Sequence, residues 1–126
     1  MPAKALADQG VSIALGTDVG AGQTLAVYRQ ISRAVQLSKL KEFYEPEGNG
    51  RISFANAFYM ATQSGGSCFG KVGSLEKGYR FNALVLDHLE DEGLPMTPAE
   101  RVERFCYTGD DRNIVARFID GKEITL

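Results

Sequence analysis

The sequence predicts an α/β chain in two parts. The first is a helix–strand–loop unit of the kind that closes a parallel barrel. The second is a group of strands from a small β domain with one helix. Three observations predict this. An apolar run at Val11-Ser12-Ile13-Ala14-Leu15 ends at a carboxylate, Asp18, and a glycine-rich loop. Two amphipathic helical stretches follow. After Gly70 the chain turns to β-rich runs with an Asp-Gly turn.

Residues 2–9 read as a short helix stopped by Gly10, a residue that adopts the left-handed C-terminal conformation. The run 11–15 is apolar at nearly every position, which suits a strand covered on both faces of a parallel sheet. Asp18 stands at its C-terminal tip, where barrels carry catalytic groups. An aspartate after a strand serves as often as a helix cap or turn residue. In the functional reading Asp18 ligates zinc and accepts a proton from the metal-bound water.

Past Gly20-Ala21-Gly22, Thr24 reads as the N-cap of a helix running to about Leu40. Leu25, Tyr28, Ile31, Ala34, Val35 and Leu37 are its apolar face. Residues 45–50 are a break of turn formers. Ser53 caps a second helix from Phe54 to about Thr62. Ser67-Cys68-Phe69 forms a short helix among glycines. The aromatics Phe43, Tyr44, Phe54, Phe58 and Tyr59 belong to a core or an interface rather than to a substrate box.

In the second part, residues 72–78 read as a strand and turn, and residues 83–87 as a strand. Thr97-Pro98-Ala99-Glu100 is a capping box with proline at the first helical position, opening a helix to about Cys106 through Val102 and Phe105. Residues 113–119 and 122–126 form a hairpin around Asp120-Gly121. The acidic loop 87–95 surrounds His88, the one histidine, and reads as solvated surface rather than a cation site. Gly109-Asp110-Asp111-Arg112-Asn113 could pair carboxylates on a metal. The stronger reading is a turn in which Arg112 pairs with one aspartate.

Composition narrows the function. The chain has 126 residues, 44% hydrophobic and 24% charged, with net charge −2 and pI near 5.4. This is too short for a complete eight-fold barrel. No basic block points to nucleic acid, and no apolar run reaches membrane-spanning length. Without a signal-like start, Cys68 and Cys106 are expected as reduced thiols in a cytoplasm, with a disulfide as the less favoured alternative.

The pieces in this order resemble the zinc amidohydrolase superfamily, and within it the guanine deaminases. The matching stretches begin with Leu15-Gly16-Thr17-Asp18-Val19 and its glycine-rich loop, then Arg33-Ala34-Val35-Gln36-Leu37-Ser38-Lys39 and Ala61-Thr62-Gln63-Ser64-Gly65-Gly66. They continue through residues 73–87 and Tyr107-Thr108-Gly109-Asp110-Asp111-Arg112-Asn113-Ile114 to the closing Asp120-Gly121-Lys122 hairpin. The Gly-Asp-Asp-Arg-Asn-Ile run favours the guanine branch over chlorohydrolases and other aminohydrolases.

The resemblance implies hydrolysis of guanine to xanthine and ammonia with zinc as cofactor. It implies that Asp18 is both a metal ligand and a catalytic residue. The family's other ligands have no counterpart here, so the isolated chain is expected to be inactive and not to hold zinc stoichiometrically. Asn82 stands where the family usually has aspartate. The resemblance divides the chain into residues 1–70, the C-terminal part of a metal-dependent (β/α)8 barrel, and residues 71–126, the C-terminal part of a composite β domain. The alternative is a non-catalytic interaction module. Both readings anticipate self-association or a complementing chain.

Overall fold

The computed structural model describes residues 2–46, 50–87, 93 and 95–125. The chain divides into two compact units, Met1–Gly70 and Lys71–Leu126.

The first unit is helical. Helix α1 spans Ala3–Asp8, and Gly10 follows with φ +84°. Helix α2 spans Val27–Tyr44, α3 Phe54–Ala61 and α4 Gln63–Gly66, with a 3-10 turn at Ser67–Phe69. Ser53 caps α3 as expected, its Oγ accepting from the Asn56 N–H at 3.1 Å. The core is where α2 meets α3. Ile31 and Val35 of α2 are buried together with Ile52, Ala57 and Met60. Ser38 ties the two segments, because its Oγ donates to the Val35 carbonyl and accepts from the Ile52 N–H at 3.0 Å.

Three expectations for this unit are corrected. Thr24 does not cap α2. Its Oγ1 accepts from the Ala26 N–H two residues on, which makes a turn and delays the helix to Val27. The helix then continues past Leu40 to Tyr44. Leu25 and Leu37, assigned to the apolar face, are 73% and 63% exposed, because only the Ile31–Val35 ridge meets α3. Phe43, Tyr44 and Tyr59, expected in a core or an interface, are exposed.

The second unit is a three-stranded antiparallel sheet of order β1-β2-β3 plus a helix. Strand β1 spans Ala83–Leu86, β2 Ile114–Ile119 and β3 Lys122–Glu123. Ala83 pairs with Phe118 and Val85 with Ala116, and a register irregularity falls between Val85 and Leu86. The hairpin turn is the expected Asp120-Gly121, with φ +52° and +75°. Positive φ at both central residues is the I′ geometry whose twist suits adjoining strands. The turn is also fastened from outside. Arg80 donates to both Asp120 carboxylate oxygens, Asn82 Oδ1 accepts from the Asp120 N–H at 2.9 Å, and the Phe81 carbonyl accepts from the Gly121 N–H at 2.9 Å. Phe81 and Phe118 meet edge-on at 5.5 Å.

Helix α5 spans Pro98–Thr108 behind a complete capping box. The Thr97 Oγ1 accepts from the Glu100 N–H, and the Glu100 carboxylate accepts from the Thr97 N–H at 2.7 Å. Phe105 and Cys106 are buried. Residues 72–78, expected as a strand and turn, carry a turn but pair with no strand among the described residues. The last strand ends at Glu123 rather than at the terminus. His88 and the acidic residues 90–92 lie outside the described residues.

Two outcomes follow for stability. Ser53→Ala is expected to cost about 1 kcal/mol in denaturant unfolding through loss of the α3 cap. Arg80 holds the Asp120 carboxyl below its usual range, first by hydrogen bonding. Its stabilisation is therefore complete above the unfolded aspartate value of about 3.9 and is lost as pH falls through the lower folded value. Asp120→Asn keeps a residue that tolerates positive φ. Its unfolding midpoint should lie below the parent's at pH 7 and converge with it in strong acid.

Candidate functional site

Residues 11–15, expected as a strand buried on both faces, join no sheet. The described residues contain no neighbouring strand to complete a ladder. One face alone is covered. Ile13, Leu15 and Thr17 are half-buried, while Ser12, Ala14, Gly16 and Asp18 are exposed. The alternation has the period of two that a pleated backbone imposes when one side packs.

What holds this arm is the corner between α3 and α4. The Leu15 N–H donates to the Met60 carbonyl at 3.1 Å, and the buried Ser64 Oγ donates to the Ile13 carbonyl at 2.8 Å. The Met60 carbonyl is available because α3 ends one residue later, at Ala61. Ser64 lies in α4, the short helix that turns back toward the arm. Gly65 keeps that corner tight, since a Cβ there would lie 3.0 Å from the Met60 carbonyl oxygen. Sequence reading found Asp18 but missed Ser64. The signal was present as a small polar residue among glycines beside a helix end.

Asp18 follows the latch by three residues. Its φ is +50°, and its carbonyl accepts from the Ala21 and Gly22 N–H groups at 3.1 and 2.5 Å. The carboxylate is exposed. Among the described residues no three histidine, cysteine, aspartate or glutamate side chains gather to hold a metal ion.

The Gly109–Asn113 cluster is the turn that the stronger sequence reading expects. Asp110 caps a 3-10 turn at Asp111–Asn113 and pairs with Arg112, whose Nη2 lies 2.6 Å from the carboxylate and whose pKa is raised by it. Asn113 closes the end of the sheet. Its Nδ2 donates to the Asp87 carbonyl at 3.1 Å, and its own carbonyl accepts from the Asp87 N–H. Gly109 leaves room for the Phe105 ring, whose Cδ2 would lie 2.3 Å from a Cβ. Cys68 is exposed and Cys106 buried, and neither is in a disulfide.

Residues 1–124 match the profile of the Amidohydrolase family. The chain belongs to the amidohydrolase family. Mouse guanine deaminase is 29% identical over 90% of the chain, and human guanine deaminase 27% over the same share. In both cases the match takes in 28% of the relative, so this amidohydrolase chain spans less than a third of their length. A crystal structure of guanine deaminase from C. acetobutylicum with guanine bound in its active site superposes with TM-score 0.89. It is 44% identical, covering 99% of this chain and 30% of that one. E. coli guanine deaminase shares the fold, with TM-score 0.76 at 24% identity over 98% of this chain and 29% of that one. No helix among the described residues is long and apolar enough to cross a membrane.

The latch generates a test. Ser64→Ala leaves the Ile13 carbonyl without its donor in a half-buried position. It should lower the stability of the first unit by about 1–3 kcal/mol in denaturant unfolding. It should also speed hydrogen exchange at the Leu15 amide, which depends on the same corner.

Proposed function

We propose that this chain is the C-terminal portion of a guanine deaminase-like zinc hydrolase, converting guanine and water to xanthine and ammonia. The observation that carries the reading is the 44% identity and close superposition, across 99% of the chain, with a guanine deaminase that has guanine in its active site. The Gly16-Thr17-Asp18 tip and the Gly109–Asn113 turn both lie within that match. In this reading the first unit is the end of the metal-dependent barrel and the second the end of the β domain. The working place of the complete protein is the cytoplasm.

Asp18 is the residue we assign to catalysis. A carboxylate at hydrogen-bonding distance from the attacking water takes up its proton. Asp18 is also the group that a zinc ion would use. The described residues by themselves do not fit such an ion. A catalytic zinc needs three protein donors, and no three candidate donors gather among the described residues. The chemistry therefore requires donors from polypeptide beyond these residues.

A second observation supports a polypeptide partner. Leu25, Leu37, Leu40, Phe43 and Tyr44 are each more than half exposed in the first unit. Such apolar side chains are covered in a finished protein by self-association or by a complementing chain.

The purified chain is expected neither to turn over guanine nor to bind zinc stoichiometrically, read by absorbance and by metal analysis. Replacing the matched segment of the C. acetobutylicum guanine deaminase with this chain should yield a chimera that does both. Asp18→Asn in that chimera should lower kcat/KM by roughly 10²–10⁴-fold, the span of a general acid–base contribution. An active chimera indifferent to that substitution would remove Asp18 from the mechanism.

A further inference from the structure

The turn after Asp18 closes on itself more tightly than its dihedral angles demand. Asp18 at φ +50° and Gly20 at φ +109° reverse the chain, and the Asp18 carbonyl takes both the Ala21 and Gly22 N–H groups. Gly22 has no positive φ, so its backbone conformation does not call for glycine. Contact does. A Cβ on Gly22 would lie 1.8 Å from the Thr17 carbonyl oxygen and 2.9 Å from that of Asp18. Both atoms are backbone, so no rotamer change relieves the clash. Even a methyl group obliges Gly22 and Thr17 to part by more than 1 Å, from 1.8 Å to at least 3.0 Å.

That displacement has nowhere to go upstream. Ile13 and Leu15 are pinned to Ser64 and Met60. The loop between that corner and α2, residues 16–26, absorbs it, and Asp18 is the residue whose carbonyl closes the turn. We infer that Gly22 is a positioning residue for Asp18. Its missing side chain lets the chain fold back onto Thr17 and fixes where the carboxylate stands. The inference rests on the guanine deaminase-like reading of Asp18. A reacting group misplaced by about 1 Å loses rate on the order of 100-fold.

The test compares Gly22→Ala with Gly10→Ala in the chimeric enzyme. Gly10 has φ +84° and open space where a Cβ would sit, so its alanine variant strains the same unit without touching the turn. Gly22→Ala should lower kcat about 100-fold, with KM for guanine changed by less than about threefold. Gly10→Ala should keep the parental kcat. A Gly22→Ala enzyme with parental kcat overturns the inference. So does an equal loss in both variants, since that marks general destabilisation.

Should Gly22→Ala fail to fold, the unmodified 126-residue chain decides. Its Ala21 and Gly22 amides should be protected in hydrogen exchange read by NMR, and exchange at open-loop rates overturns the inference. This arm needs no activity. An inactive parental chimera therefore sinks the proposed function while the turn is still judged.

Discussion

Two hydrogen bonds at the α3–α4 corner decide how this chain presents its chemistry. Ser64 Oγ to the Ile13 carbonyl, and the Leu15 N–H to the Met60 carbonyl, hold an arm that has no strand beside it among the described residues. A backbone segment without a ladder must find other partners for its polar groups. Here a helix end supplies an unused carbonyl and a serine supplies a hydroxyl. Both are local consequences of ending α3 at Ala61 and restarting at Gln63. Without that break the Met60 carbonyl would be nearer the interior of a continuous helix, and Ser64 would lie on a different face.

The second unit uses a different device. Its sheet has only three strands, and β3 is two residues long. Such a short pairing is marginal by itself. Arg80, Phe81 and Asn82 fasten the Asp120-Gly121 turn by side chain and backbone before β1 begins. Asn113 fastens the opposite end of the β1–β2 pair. The polar residues that look like a metal cluster in the sequence are therefore spent on a turn. Asp110 caps it and neutralises Arg112, leaving no convergent donors there among the described residues.

What was legible in the sequence was mostly local. Ser53 and Thr97 announce their helices because a cap and its N–H partner are three residues apart. Asp120-Gly121 announces the hairpin because the turn's dihedrals are set by those two residues. The misread elements depend on distant partners. Leu25 and Leu37 have the spacing of a buried face, yet burial needs a second surface, and α3 reaches only Ile31, Ser32 and Val35. Residues 11–15 have strand composition, yet a strand also needs a neighbour. Thr24 competes with its own expectation, since its hydroxyl finds the Ala26 N–H sooner than a helix does. Asp18 was visible because a carboxylate between glycines is conspicuous, whereas the bonds that hold the arm leading to it come from residues more than 40 positions away in sequence.

The exposed side of the arm carries an argument of its own. Its exposed members include Ser12, Ala14 and Gly16, all small, followed by Asp18. Small side chains leave a shallow surface against which another layer of polypeptide can lie closely. Ile13 and Leu15, alternating with them, carry the bulk and are half-buried. A sequence apolar on both sides of a strand is wasteful if one side faces water permanently, because unburied apolar area contributes nothing to folding. It is economical if that side is later covered. The same logic applies to Leu37, Leu40, Phe43 and Tyr44 on α2, whose exposure is at odds with a helix otherwise rich in charge.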